Sequence, residues 1–180
     1  MTFWIRLNYG NKIIAFPITL AATTLGTAVV PYFSAMVVQR DWAGIRHTLK
    51  RYLSLIFATA VPLTLILMMI SEPLVKMIYQ RGSFSEEDTH LVAQIQVLFA
   101  LQIPFYIAVI LIVRLISSML ANHILLIGNI ITVILNISLN YLFMKKLGVA
   151  GIALSTSCVY MVLFTFLYIS WRRISRKLSE

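Results

Sequence analysis

Ile13 to Val38 reads IIAFPITLAATTLGTAVVPYFSAMVV, twenty-six residues without an Asp, Glu, Lys or Arg. About 20 residues in a helix, rising about 1.5 Å each, cross the roughly 30 Å apolar core of a bilayer. The stretch is therefore predicted to be a membrane-spanning helix. It carries Pro17, Gly26 and Pro31, which are tolerated in such helices where neighbours satisfy the freed backbone groups. They predict a bent helix rather than a plain anchor.

Four more apolar blocks follow, at about 52–70 with Pro62, 97–120 with Gln102, Pro104 and Arg114, 124–144, and 149–170. The predicted fold is an all-α transmembrane helix bundle of about five spans. Composition agrees. The 180 residues are 60% hydrophobic and 12% charged, whereas a soluble domain carries about a quarter charged residues. The net charge of +9 gathers between the apolar blocks, as the positive-inside rule predicts, so nucleic-acid binding is not expected. Cys158, the one cysteine, has no intrachain partner and reads as a packing residue. The first residues hold Trp4, Arg6 and Asn8 with no short apolar region or small-residue cleavage site. A secretory signal peptide is not expected, and the chain is expected to begin just ahead of a span.

The connecting segments carry the charge. Residues 39–51 hold Arg40, Asp41, Arg46, His47, Lys50 and Arg51. Asp41 can cap a short helix whose Trp42, Ile45 and Leu49 share a face. That face would lie on the membrane surface, or the segment is a solvated connector. In 71–90, Arg81-Gly82 reads as a turn. Ser85 with Asp88 three residues on resembles a capping box, and Glu86, Glu87 and Asp88 suit a first helical turn, so a helix should start near Glu86. Lys145, Lys146 and Gly148 make a tight connection, and Arg172, Arg173, Arg176 and Lys177 form a basic tail. The 39–51 loop and the tail fall on one side of a five-span bundle and are the richest in Lys and Arg, which places them in the cytoplasm. The N-terminus is then outside, an arrangement expected of a fragment or of one half of a larger bundle.

Ionisable groups inside a span are costly and point to function. Lys12 lies at the outer end of the first span, with Thr23 three turns on along the same face, beside Ala15, Ala22 and Gly26. One reading is a cavity wall with a cation for an anionic substrate; the other is a snorkelling lysine with small residues for packing. Arg114, about two turns from the cytoplasmic end of the third span, either meets a phosphate bidentately or reaches the headgroups. Asn129, Asn136 and Asn140 recur at seven and four residues, on one helix face, for interhelical hydrogen bonds or substrate contact. His47, His90 and His123 lack ligand spacing. No catalytic triad, phosphate-binding loop or paired intramembrane carboxylate is visible, so no enzyme activity, metal or cofactor is expected.

Two stretches then carry a resemblance. Tyr9-Gly10-Asn11-Lys12, Phe16-Pro17 and Leu25-Gly26-Thr27-Ala28-Val29-Val30-Pro31 with Ser34 form the first. Glu72-Pro73, Tyr79-Gln80-Arg81-Gly82-Ser83-Phe84 and Asp88-Thr89 form the second. In order and separation they resemble the MviN/MurJ-type lipid II flippases. The later pattern from Asn136 and Asn140 through Leu147-Gly148-Val149-Ala150-Gly151 to Ser155-Thr156 is similar to polysaccharide and lipid-linked oligosaccharide exporters of the same superfamily.

The resemblance implies that these spans are the eighth to twelfth of a two-lobed exporter, with the first lobe absent. The family's eighth helix runs from outside to inside, in agreement with the loop charges. An arginine of that helix, implicated in holding the substrate diphosphate, is matched by Lys12, which keeps the charge but not the guanidinium fork; where many members carry an acid, this chain has Ala15. The resemblance implies a substrate contact from Lys12; Thr23, Arg114 and Asn136 are the further candidate contacts that the residues themselves offer. The implied partners are a lipid-linked diphosphate glycan, membrane lipids and a first lobe that can be a separate chain. The implied location is the bacterial cytoplasmic membrane. The expected activity is translocation of the peptidoglycan precursor lipid II by alternating access. The alternatives are a flippase for another lipid-linked oligosaccharide or polysaccharide, and a truncated or non-transporting membrane subunit.

Overall fold

The computed structural model describes residues 3–79 and 86–178, and the side chains of 3–6, 21, 22, 25–28 and 177 lie outside the description. The expected turn at Arg81-Gly82 and the Ser85 cap fall outside it as well. The described chain forms seven helices: α1 Phe3–Val38, α2 Trp42–Met69, α3 Ser71–Tyr79, α4 Glu86–Ala100, α5 Ile103–Ser118, α6 Asn122–Leu147 and α7 Val149–Lys177. Among the described residues four stretches are long and apolar enough to cross a membrane: Trp42–Met69, Glu86–Ser118, Asn122–Leu147 and Val149–Arg176. Val29–Val38 of α1 forms a shorter apolar piece. The molecule is an all-α membrane helix bundle.

Long helices pass up and down, joined by short turns. α1 leads to the 39–41 turn, α2 returns, α4 and α5 together pass back, α6 returns, and α7 ends beside the 39–41 turn. The three turns close by backbone chemistry. Arg40, at φ 56°, is left-handed; its N–H donates to Val37 O at 3.1 Å, and the Asp41 N–H to Met36 O at 3.0 Å. Leu120, at φ 57°, does the same, with Leu120 N to Ser117 O at 3.0 Å and Ala121 N to Ile116 O at 3.2 Å. Both are Schellman endings that satisfy carbonyls left over by the helix. Between α6 and α7 the turn residue is Gly148 at φ 58°, ψ −134°, a backbone region essentially restricted to glycine.

Three details depart from the sequence expectations. Residues 39–51 form neither a surface helix nor a connector. Asp41 does cap, its Oδ1 accepting from the Gly44 N–H at 2.8 Å, but the capped helix is α2 itself. Ile45 and Leu49 are buried in the main core, with Trp42 packed against it, because the helix continues straight into the bundle. The third span is a broken pair. α4 ends at Ala100 and α5 restarts at Ile103 with Pro104 in its first turn, where proline lacks the donor that a continuous helix would need. The basic tail continues α7 as helix to Lys177.

α5 is the core of the bundle. Its Ile103, Ile107, Ala108, Leu111, Ile112, Leu115 and Ile116 are buried, and α1, α2 and α7 pack around it. α6 is the opposite case. Its only buried residues are Ile124 and Gly128, and Ile130, Val133, Ile134, Ile137 and Leu142 are exposed. In water such a surface would aggregate, but lipid tails solvate it at no cost. α6 is therefore held chiefly by α7, through small residues that let the backbones approach. A Cβ on Gly151 would collide with the Phe143 carbonyl, whereas one on Gly128 would stand 3.1 Å from Leu163 Cδ1, the movable end of a side chain. Gly151→Ala is thus expected to destabilise the bundle by about 1–3 kcal/mol, while Gly128→Ala stays near neutral. Thermal unfolding of both variants in one detergent tests this, and equal melting temperatures would contradict the backbone contact.

Candidate functional site

Among its described side chains, α1 is buried on one side only. Gly10, Ile14, Val29, Phe33 and Met36 face inward, at spacings that keep a single helical face, and pack on α4 and α5. Gly10 is needed there, because a Cβ would stand 2.7 Å from Ile95 Cγ2. The opposite face carries Asn8, Asn11, Lys12, Phe16, Thr19, Leu20, Thr23 and Thr24, all exposed. Six of these eight are polar. A helix side turned to lipid would be expected to be apolar, as α6 is. This polar stripe is instead what a cavity wall or a helix awaiting a polar partner requires.

Lys12 has a built surrounding. Its Nζ stands over the Tyr9 ring, 5.4 Å from the centroid, and Tyr9 packs on Tyr79 of α3 with centroids 4.5 Å apart. Tyr9, Ile13 and Tyr79 in turn close on a small second core of Val75, Val92 and Ala93. Burial first, and the neighbouring Tyr9 second, push the Tyr79 phenol above its ordinary value, so it stays neutral. Cation–π attraction by the ring face thus steadies an ammonium group that remains exposed. α3, which joins Lys12 to α4 through this ladder, has no counterpart among the sequence expectations.

Thr23 lies on the same face eleven residues on, about 16 Å along the axis. Its hydroxyl donates to its own helix, to Thr19 O at 3.1 Å and Leu20 O at 3.0 Å, as Thr19 does to Ala15 O at 2.8 Å. Arg114 is exposed on α5, four residues before its end, and the helix order sets it at the opposite end of the bundle from Lys12. Asn136 belongs to the α6–α7 seam. Its Oδ1 accepts from Asn140 Nδ2 at 2.7 Å, and Asn140 Oδ1 accepts from the Ser155 hydroxyl. The structure therefore unites Lys12 and Thr23 on one face and leaves Arg114 and Asn136 elsewhere.

Gln96 of α4 escaped the sequence reading. It is fully buried at the α1–α4 contact, and among the described residues neither side-chain polar atom has a hydrogen-bond partner. A polar residue inside an apolar helical run was the available signal, but its burial depends on how α4 is rotated.

A family model described as the lipid II flippase MurJ matches residues 4–179. The chain is 28% identical over 170 residues to a probable lipid II flippase MurJ of Synechocystis sp. (strain ATCC 27184 / PCC 6803 / Kazusa), covering 94% of this chain and 32% of that protein. It is 26% identical over 151 residues to the probable lipid II flippase MurJ of Rickettsia prowazekii, covering 84% and 30%. It is 26% identical over 164 residues to the lipid II flippase MurJ of Thermosipho africanus, covering 91% and 34%. A solved structure of the lipid II flippase MurJ in an inward closed conformation superposes with a TM-score of 0.78 at 24% identity, over 97% of this chain and 38% of that one. This likeness speaks for the fold. The chain spans about a third of the length of the curated relatives it matches.

The hydrogen bond between Asn140 and Ser155 gives the α6–α7 seam a measurable coupling. A double-mutant cycle with Asn140→Ala and Ser155→Ala should return about 0.6 kcal/mol, the usual value for such pairs between membrane helices. Strict additivity of the two losses in unfolding free energy would show that the contact contributes nothing.

Proposed function

The chain belongs to the lipid II flippase MurJ family, and on that premise we propose that it forms the second lobe of a flippase for an undecaprenyl-diphosphate-linked peptidoglycan precursor. The observation that carries this reading is the exposed polar stripe of α1 with Lys12 near its start. A helix packed on one side by α4 and α5 and polar on the other suits the wall of a central cavity between two lobes. Lys12 would attract the diphosphate of the substrate. A single ammonium group offers a point charge rather than a bidentate fork, so further cations from the first lobe would share the load. That lobe would come from the same polypeptide or from a separate partner chain.

Movement would then be rocking of one rigid lobe against the other, with access alternating between the two leaflets. The work is translocation, with no bond made or broken, so the protein is a transporter and not a catalyst. Thr23 would extend the polar wall by its hydroxyl oxygen, and Arg114 and Asn136 would act, if at all, outside the Lys12 region. The concentration of Lys and Arg around the 39–41 turn and the end of α7 favours a cytoplasmic position for that end in a bacterial cytoplasmic membrane.

In the full-length protein, Lys12→Ala is expected to abolish growth of a flippase-depleted strain, and Lys12→Arg to sustain it. Because Lys12 is exposed and gives up only a ring contact of about 0.5–1 kcal/mol, the alanine variant should still accumulate in the membrane. Normal growth with alanine would remove Lys12 from the transport reading.

A further inference from the structure

At the far end of the bundle from Lys12, a cleft of about 450 Å³ opens between the first turns of α2 and the last turns of α7. Val38, which ends α1 at this side, is twenty-six residues from Lys12, about 39 Å along the helix. Arg46 and Lys50 form one wall, and Arg172 and Arg176 the other. Each pair is spaced four residues apart, so each projects from one helix face. Among the described residues no carboxylate lines the cleft; Asp41, five residues before Arg46, caps α2.

The floor distinguishes this cleft from a merely solvated basic surface. Trp171 is 5% exposed and Ser175 is 2% exposed, and both line the cleft. Among the described residues the Trp171 indole nitrogen and the Ser175 hydroxyl have no hydrogen-bond partner. A buried polar group left unmatched is costly to the fold. The hydroxyl of a helical serine commonly returns to the carbonyl four residues back, and Ser175 does not do so. Two buried donors thus sit beneath four cations. Arg172 is steadied over the Tyr168 ring at 5.9 Å. The α2 N-terminus favours an anion and the α7 C-terminus disfavours it, so the side chains decide the sign.

We propose that this cleft binds the phosphodiester of an anionic phospholipid headgroup, in the leaflet that meets this end of the bundle. A phosphate oxygen accepts from an indole N–H and a hydroxyl, and its charge suits guanidinium groups. A membrane source is favoured over a soluble one because the cleft opens where two spanning helices leave their apolar stretches, with a tryptophan at headgroup depth. An anionic headgroup is favoured over a zwitterionic one because the described lining offers cations and no acid to receive an amine. The site is independent of the transport reading, since it shares no residue with the α1 stripe.

The test is native mass spectrometry of the full-length protein titrated with phosphatidylglycerol, with phosphatidylcholine as the zwitterionic comparison. Arg46→Gln combined with Arg172→Gln should lower phosphatidylglycerol affinity by at least about tenfold, and Trp171→Phe, which keeps the ring and removes the donor, by several fold. Arg51→Gln combined with Arg173→Gln removes the same charge at positions outside the cleft and should leave affinity unchanged. Equal losses from the two arginine pairs would overturn the site in favour of a diffuse basic face. An unchanged Trp171→Phe would overturn the role of the floor. Displacement of the lipid by excess inorganic phosphate would overturn the lipid assignment. Should Trp171→Phe fail to fold, the comparison of the two arginine pairs, all at exposed positions, still decides.

Discussion

A bilayer interior offers no water to a backbone N–H or C=O, so each such group must find its partner within the protein. The architecture follows from this constraint. It demands helices long enough to cross, which α2, α6 and α7 supply outright, and it favours irregular backbone at helix ends or in protein-packed positions. The Schellman endings at Arg40 and Leu120 and the glycine turn at Gly148 lie where chains reverse. The break before Pro104 lies beside α1, α2 and α7, which pack around α5, not against lipid. Even Thr19, Thr23 and Thr24 of α1 and Thr59 and Thr64 of α2 direct their hydroxyls to carbonyls of their own helices.

Because lipid solvates apolar side chains as well as the protein interior does, hydrophobicity alone cannot hold such a bundle together. Contacts are instead decided by close approach and by polar pairs. α6 illustrates this most clearly. Nearly all of its apolar surface faces outward, and its attachment to α7 depends on Gly151 and the Asn136–Asn140–Ser155 chain. α1 inverts the pattern. Its apolar side is buried, and its exposed side carries Lys12, Thr19, Thr23 and Thr24. The first arrangement suits contact with lipid, the second contact with a polar cavity or another lobe.

The two ends of the bundle hold their cations differently. Lys12 stands over the Tyr9 ring, which packs on Tyr79, a setting that steadies a charge while leaving it reachable. Arg46, Lys50, Arg172 and Arg176 converge on one cleft with buried donors beneath. A transported group must be released, so a single exposed charge is appropriate to passage, whereas several convergent donors are appropriate to lasting attachment.

Bilayer thickness and the cost of buried charge act on every residue locally, so runs of uncharged residues, the Asp41 cap and the helical start near Glu86 were legible in the amino-acid sequence. So were the common face of Lys12 and Thr23, which rests on helical periodicity alone, and the family likeness. Rotation of one helix against another was not legible, because apolar residues surround most of these helices and leave the hydrophobic pattern little power to choose a face. The tertiary structure therefore decided that Ile45 and Leu49 enter the core, that the Asn136–Asn140 pair meets Ser155 of α7, and that Gln96 is buried. It alone brought Arg46 and Lys50 to Arg172, a pairing of residues more than 120 positions apart that depends on how two helix ends meet.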